Sequence, residues 1–232
     1  MNNDNLEHLR HSLAHLMASA VLELYPDTKL TIGPAIDTGF YYDFEFSKPI
    51  SDDNLKNIEK VMKKKIASWK SFEGKEVTYE EAKELFQGNP YKLELIEEIK
   101  EKGETITLYT CDDFTDLCRG GHSDDLSNID PDSFKLDKVA GAYWRGDEKN
   151  AMLTRIYGLA FGSKEELEAF KKQREEAKER DHRKIGKEMD LFTFSDLVGA
   201  GLPLWTPKGT ILRNLLDEKV WELRNQYNYT KV

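Results

Sequence analysis

The sequence predicts an α+β fold in which helices and antiparallel strand pairs interleave. Apolar residues recur at helical spacing over residues 6–24. The β-prone runs at 29–36 and 39–46 are joined by Asp37-Thr38-Gly39, a typical hairpin turn. Nowhere do strands and helices alternate in the βαβ rhythm that builds a parallel sheet. These observations favour mixed helices and antiparallel sheet over an α/β architecture.

Capping residues predict the helices that follow the first hairpin. Ser51 caps a helix whose apolar residues fall on one face and whose lysines fall on the other. Thr78-Tyr-Glu-Glu81 is a capping box for a short helix that stops at Gly88, and Pro90 opens another helix that ends at Gly103. Further strands are predicted at 105–110, 134–136 and 152–157.

A long polar helix is predicted to divide the chain. Ser163-Lys-Glu-Glu166 forms a second capping box, and residues 164–187 contain almost no helix-breaking residue. A helix that is polar nearly all round typically bridges two domains through solvent. Beyond it, an amphipathic helix is predicted from Lys208 to about Asn228. Its apolar face, which we expect to be uncovered within this chain, consists of Leu212, Leu215, Leu216, Val220 and Leu223.

The composition indicates a globular chain without a membrane span. Hydrophobic residues make up 39% and charged residues 33%, and no apolar run is long enough to cross a bilayer. The N-terminus lacks signal-peptide features and two cysteines give no disulfide framework, so we expect a cytoplasmic protein. The net charge of −9 argues against non-specific nucleic-acid binding but is compatible with a local basic patch. Candidates for such a patch are Lys63 to Lys65, Arg119, Arg145 and Lys171 to Lys187.

Two short motifs carry the candidate chemistry. His11-Ser-Leu-Ala-His15 puts two imidazoles on one helix face, a turn apart. Cys118-Arg-Gly-Gly-His122 follows a predicted strand, and its two glycines let the backbone bend sharply. If this turn folds back onto the first helix, three imidazoles and a thiol converge, a set that either holds a metal ion or activates a water molecule. Cys111 has no histidine at ligand spacing and is predicted to be structural.

Six sequence blocks, spread over nearly the whole chain, carry a family resemblance. They are His11-Ser-Leu-Ala-His15, Ile32-Gly-Pro-Ala-Ile-Asp-Thr-Gly-Phe-Tyr-Tyr-Asp43, Asp116-Leu-Cys-Arg-Gly-Gly-His122, Lys138-Val-Ala-Gly-Ala-Tyr-Trp-Arg-Gly-Asp147, Arg155-Ile-Tyr-Gly158 and Arg180-Asp-His-Arg-Lys-Ile-Gly-Lys187. In this order they resemble the threonyl-tRNA synthetases, which are class II aminoacyl-tRNA synthetases. The histidine and cysteine motifs alone would also fit alanyl-tRNA synthetases and their freestanding editing relatives. The last block, followed by Asp190-Leu-Phe, resembles only the threonyl enzymes.

The resemblance implies three regions in this chain. Residues 1–162 resemble the editing domain, which hydrolyses seryl groups wrongly attached to tRNA(Thr). Residues 163–188 resemble the linker helix, and residues 189–232 resemble a truncated start of the class II catalytic core, around motif 1. ATP-dependent ligation of threonine to tRNA(Thr) belongs to the full enzyme, and we expect none here because matches to motifs 2 and 3 are missing. The implied partner is the acceptor end of tRNA(Thr), and the full-length enzyme is implied to be a homodimer.

The resemblance also implies individual roles at an editing site. Residues that match catalytic positions are His11, His15, Lys92, Cys118 and His122. Residues that match substrate-binding positions are Tyr42, Asp116 and Arg119. By resemblance, Lys92 would stabilise an oxyanion or orient water, and Asp116 would bind the seryl ammonium. Tyr42 and Arg119 would hold the terminal adenosine or its phosphate.

The sequence leaves a zinc ion and two other functions open. Related alanyl editing domains hold zinc with the same four ligand types, whereas bacterial threonyl editing domains look able to work without it. The candidate ligands are His11, His15, Cys118 and His122. The alternatives to editing are a non-catalytic module that binds the tRNA acceptor end and a metal-dependent hydrolase of a small substrate. Binding alone does not need the histidines, the thiol and Lys92 together.

Overall fold

A computed structural model describes residues 3–199 and 201–230, and the chain divides into two units, Met1–Ala169 and Phe170–Val232. The helices of the first unit are α1 (Asn3–Leu24), α2 (Asp52–Lys65), α3 (Tyr79–Leu85) and α4 (Pro90–Glu101). Its strands are β1 (Lys29–Leu30), β2 (Ala35–Ile36), β3 (Gly39–Glu45), β4 (Glu73–Val77), β5 (Ile106–Cys111), β6 (Phe114–Leu117), β7 (Phe134–Tyr143) and β8 (Met152–Ala160).

An antiparallel sheet and a buried helix form the main core. The strand order is β1-β3-β8-β7, and β2 also pairs with β3. The helix α1 packs against α2 and β3. Residues 12–21, the middle of this helix, are all buried, so the helix is surrounded by protein on every side there. Phe40, Tyr42 and Phe44 of β3 are fully buried in this core. A strand and a helix that both carry candidate site residues are therefore fixed by apolar packing.

A second, three-stranded sheet with the order β4-β5-β6 carries Asp116 and leads into Cys118. The capping boxes at Ser51 and Thr78 both form, and Asn89 caps α4 by accepting from the amides of its first turn. The Asn89 amide also donates to the carbonyl of Leu30, 2.7 Å away. This contact ties the start of α4 to the edge of the main sheet.

The remainder of the chain contains α5 (Lys164–Glu179), α6 (His182–Glu188), β9 (Phe192–Thr193), β10 (Leu204–Trp205) and α7 (Pro207–Asn225). The division into units falls within α5. The strands β9 and β10 pair antiparallel, and Thr206 caps α7. The predicted apolar face of α7 is exposed, with 41–60% of each of its five residues accessible. The structure does not test whether this part is the start of a class II core, which stays a prediction.

The α+β architecture is confirmed, but three predicted elements differ in detail. The predicted linker helix over 163–188 is not confirmed as one helix, because it is interrupted at 180–181, where Asp181 caps α6 through the amide of Arg183. The predicted strand over 29–36 is two short strands, since Gly33 and Pro34 lie between β1 and β2. The strands β4 and β6 were not predicted. Within the described residues, no helix is both long and apolar enough to cross a membrane.

Replacement of Gly39 by alanine will destabilise the first unit by about 3 kcal/mol, because the new methyl group cannot be accommodated. A Cβ at this position would lie 1.9 Å from the carbonyl oxygen of Gly158, a backbone atom of the paired strand β8. The measurement is the free energy of unfolding in urea. Gly88→Ala is the matched control, since a Cβ there meets nothing within 4 Å. Equal stability of the two variants would contradict the prediction.

Candidate functional site

The Gly-rich turn after β6 folds back onto α1 and brings both chemical motifs together. The buried Ser12 hydroxyl accepts from the amide of Ser123 at 2.9 Å, and His11 Nδ1 lies 3.2 Å from the carbonyl oxygen of Gly121. Gly120 and Gly121 both have positive φ angles, +93° and +80°, which residues other than glycine rarely adopt. The convergence that the spacing predicts is therefore present, and glycine makes it possible.

Each of the four motif side chains contributes one nitrogen or sulfur atom to a cluster in which these atoms all lie within 4.8 Å of one another. The residues are His11, His15, Cys118 and His122. His11 Nε2 is the centre of the group, 3.1 Å from His15 Nε2 and 3.4 Å from Cys118 Sγ. His122 Nε2 lies 3.5 Å from the same sulfur. Because His11 Nδ1 can donate to Gly121, its Nε2 is free to accept a proton or bind a metal.

Asp116 links three elements of the fold beneath this cluster. Its Oδ1 lies 2.5 Å from Lys92 Nζ of α4, and its Oδ2 accepts from the Tyr42 hydroxyl of β3 at 2.6 Å. The same Oδ2 is 3.4 Å from His15 Nδ1 of α1, an ion-pair distance without hydrogen-bond alignment. Lys92, Asp116 and Tyr42 are at most 1% exposed. These contacts make Asp116 the group that orients His15 and Lys92, while its predicted contact with a seryl ammonium stays a prediction.

The cluster forms a balanced set of charges. Burial disfavours ionisation of Asp116, but Lys92 and His15 outweigh that effect and hold the pKa of the carboxyl well below its usual range. Burial also opposes a charge on His15, yet Asp116 and Cys118 raise its pKa to about 9. Burial opposes a charge on the Cys118 thiol, but its contacts with the three imidazoles and the positive charge of His15 lower its pKa to about 3. Two cations therefore face two anions at neutral pH.

A cavity of about 530 Å³ opens onto this cluster. Its lining includes seven of the eight predicted catalytic and substrate-binding residues, of which six are buried or half-buried: His11, His15, Tyr42, Lys92, Asp116 and Cys118. Arg119 also lines it, but its side chain is largely exposed and paired with Glu104. His122 does not line the cavity; it lies behind the thiol, stacked on Phe72 with 4.0 Å between ring centroids.

The predicted basic patches are locally neutralised by carboxylates. Lys63 pairs with Asp132 and Lys65 with Glu23 and Asp113. Arg145 pairs with Glu94 and Glu98 of α4. In the stretch from Lys171 to Lys187, pairs include Lys178 with Glu175 and Arg183 with Asp181. Exposed pairs of this kind are weak, so they offset the positive charge of these side chains without fixing them in place.

Some residues at the site were missed by sequence reasoning. His8 also lines the cavity, one turn before His11 on the same face of α1. The spacing i, i+3 could have indicated it. The ring of His122 contacts Phe72, which directly precedes β4, and Tyr109, which lies on β5. No local signal links these two aromatic residues to a histidine, because the contacts join distant parts of the chain.

The donor set fits a metal ion as well as a proton relay. Three imidazoles and one thiolate are the ligands that zinc prefers, and their atoms are already close enough to surround one ion. Asp116 and the Gly121 carbonyl face the second ring nitrogens of His15 and His11. Such outer partners are typical of metal-binding histidines.

Comparison with known proteins adds independent information. Residues 106–157 match the family described as "Threonyl and Alanyl tRNA synthetase second additional domain". Over 231 residues the chain is 48% identical to a threonine--tRNA ligase of Gloeobacter violaceus and 52% identical to one of Staphylococcus carnosus. These alignments cover 99% and 100% of this chain but 37% and 35% of the relatives. The chain thus spans about a third of the length of the relatives that it matches.

Cys118 will react with iodoacetamide at pH 5 at a rate within about threefold of its rate at pH 8, in protein treated with a chelator. Its lowered pKa keeps the thiolate present as the pH falls, whereas an ordinary thiol loses about tenfold in rate per unit below its pKa. Cys111 is the internal control: burial raises its pKa to about 11, so it will stay unlabelled in the folded chain. Mass spectrometry of the labelled peptides measures both. A tenfold loss at Cys118 between pH 8 and pH 7 would contradict the prediction.

Proposed function

This chain is related along its whole length to the threonyl-tRNA synthetases, and on that premise we propose that its first unit is an editing esterase that hydrolyses seryl-tRNA(Thr). The observation that carries the proposal is the thiolate–imidazole cluster at a cavity that Lys92 also lines, with Asp116 between His15 and the Lys92 ammonium. The partner would be the acceptor end of tRNA(Thr). A non-catalytic binding module has no use for this buried set of charges.

The cavity is suited to a nucleoside that carries a small acyl group. Its volume of about 530 Å³ lies in the range of small-molecule sites. Polar groups converge at its deep end, while apolar residues such as Ile32, Pro34 and Leu95 line the wall. We place the ester at the deep end and the adenosine along the apolar wall.

The hydrolysis requires a base, a stabilised oxyanion and a proton for the leaving group. His15 is held as a cation between Asp116 and Cys118, so it is not the base. His11 lines the cavity, and its Nε2 would take a proton from the attacking water. The Lys92 ammonium would stabilise the negative charge that develops on the ester oxygen. When the carbon–oxygen bond breaks, the proton held by His11 passes to the ribose oxygen, which leaves free serine and intact tRNA.

Discrimination between serine and threonine would come from the tight packing of this deep end. Threonine differs from serine by one methyl group, and exclusion of a methyl group is worth about 1–3 kcal/mol. Tyr42 is fully buried and held on both sides, by Asp116 and by Lys92 Nζ at 3.3 Å. A rigid wall of this kind cannot move aside for an extra methyl group.

We further propose that the same cluster can hold zinc, with His11, His15, Cys118 and His122 as the ligands. A bound zinc ion would supply a Lewis acid and lower the pKa of a water molecule. With zinc bound, Asp116 would still orient His15 and Lys92 would still face the ester, whereas His11 Nε2 would be a ligand and no longer the base. Ligation of threonine and a homodimeric state, both implied for the whole enzyme, also stay proposals; the exposed apolar face of α7 is compatible with the latter.

Seryl-tRNA(Thr) will be deacylated by this chain, and His11→Ala will lower kcat by about 100-fold or more because the base is lost. Threonyl-tRNA(Thr) will be hydrolysed at least about tenfold more slowly than the seryl ester. Release of labelled amino acid over time measures both rates. His182→Ala is the matched control, since this histidine is exposed and lies in the second unit. Binding of tRNA without any hydrolysis would favour the non-catalytic module instead.

Zinc will bind the chelator-stripped chain at one equivalent, and Cys118→Ser or His15→Ala will weaken that binding at least about tenfold. Competition with a chromogenic chelator measures the affinity. Protection of Cys118 from iodoacetamide by zinc locates the ion at this cluster independently of activity. His182→Ala again serves as the control. An equal zinc affinity of the wild-type and Cys118→Ser chains would show that the ion does not bind here.

A further inference from the structure

Arg145 adopts a backbone conformation that its side chain makes unfavourable. Its φ angle is +56° and its ψ angle +20°, in the left-handed region that glycine enters without cost. The residue lies at the tip of the hairpin between β7 and β8, next to Gly146, which also has a positive φ angle. A strained non-glycine residue in a short connection indicates that its side chain has a task that outweighs the strain.

The side chain of Arg145 reaches across to α4 and contacts two carboxylates that are one turn apart. Its Nε lies 2.6 Å from Glu94 Oε1, and its Nη2 pairs with Glu98. The neighbouring Trp144 is buried, and its indole N–H donates to a carboxylate oxygen of Glu94 at 2.9 Å. Trp144 thus anchors the hairpin tip, while the arginine is placed over the outer side of α4.

This position is the rim of the cavity. Glu98 of α4 and Lys102, the C-cap of that helix four residues later, both line the cavity. Arg145 does not line it but pairs with Glu98, so Arg145, Glu98 and Lys102 form a cation–anion–cation row beside its edge. Among the residues that the structure describes, Lys102 has no carboxylate within ion-pair distance. Lys92, near the start of the same helix, also lines the cavity, and its buried ammonium pairs with Asp116.

The ion pairs of Arg145 are weak enough to be exchanged. The side chains of Arg145 and Glu98 are 36% and 35% exposed, and water and salt screen the attraction within such pairs. A phosphodiester group matches a guanidinium fork at least as well as a carboxylate does. A phosphate that reaches the rim can therefore displace Glu98 at low cost.

We propose that Arg145 and Lys102 form a clamp for the phosphodiester that precedes the terminal adenosine of a single-stranded RNA end, and that Glu98 is the anion that this phosphate must displace. The proposal rests on the proposed function, since it assumes that the ester end of the same RNA occupies the cavity. Glu98 keeps Arg145 oriented while no RNA is bound and reduces binding of RNA that does not insert its end.

The test measures binding of two probes that share the same aminoacyl adenosine, of which only the first carries phosphodiester groups. One probe is a short single-stranded RNA whose 3′ adenosine carries a non-hydrolysable serylamide, and the other is the serylamide of adenosine alone. Glu98→Gln will tighten binding of the RNA about threefold, because the competing anion is gone, and will leave the nucleoside probe unchanged. Arg145→Gln will weaken binding of the RNA about tenfold and reduce the slope of log K against log salt by about 0.7.

The matched control is Glu97→Gln, which makes the same charge change on the same helix but at a residue that pairs with Lys83. A tightening of Glu97→Gln equal to that of Glu98→Gln would reduce the effect to net charge and overturn the clamp. Weaker RNA binding by Glu98→Gln would show a purely structural ion pair and would also overturn it. In an Arg145→Gln background, Glu98→Gln will no longer tighten binding; additive effects would contradict the proposed competition.

Failure of the clamp and failure of the proposed function give different results. The 3′-seryl ester of adenosine has no phosphodiester, so its hydrolysis tests the deep site alone. If this ester is not hydrolysed, the editing proposal fails. If it is hydrolysed and Glu98→Gln leaves the affinity for the RNA probe unchanged, only the clamp fails.

Discussion

The buried contact between Lys92 and Asp116 is the interaction on which the site depends. A single carboxylate on β6 holds the ammonium of α4, the hydroxyl of Tyr42 on β3 and the imidazole of His15 on α1. Removal of one partner from a buried pair typically costs about 3–5 kcal/mol, because the other charge is left uncompensated. The three elements are therefore fixed relative to one another by electrostatics as well as by the apolar core. The cavity has a defined deep end because these side chains have no alternative arrangement that satisfies their charges.

The same contact determines the state of the thiol. Asp116 stabilises the charged form of His15, and that positive charge, with the contacts from His11 and His122, stabilises the thiolate of Cys118. The four charges are balanced within a small volume, so a reaction at the site does not have to create a new buried charge without a partner. This balance explains how a thiolate can persist among imidazoles without a metal. It also suits the zinc site that we propose, because an ionised thiolate and three imidazoles with ligand atoms within 4.8 Å of one another need little rearrangement around an ion.

Sequence reasoning succeeded for most of the elements whose signal is local. The capping box at Thr78 and the proline at the start of α4 mark their helices because each signal lies within one turn of the chain. The histidine and cysteine spacings predicted a convergence that the structure contains. What sequence reasoning missed depends on distant contacts: β4 is a strand only because it pairs with β5, and Phe72 is a support for His122 only because of the fold. The roles of Lys92 and Asp116 came from resemblance alone, since neither spacing nor composition brings residues 24 positions apart into contact.

Burial separates two uses of the same kind of ion pair in this protein. Lys92 and Asp116 are each 2% exposed at the side chain, so their pairing is fixed and shapes the chemistry of the site. Arg145 and Glu98, about one third exposed, gain little from pairing and can exchange partners. A chain with a net charge of −9 repels a polyanion over most of its surface. In the proposed clamp, Arg145 leaves Glu98 only when a phosphate group takes the place of that carboxylate. The chain can then bind an RNA end at this one place, while its acidic surface disfavours contact with RNA elsewhere. Selectivity for an inserted end then follows from the burial of the pairs rather than from the number of basic residues.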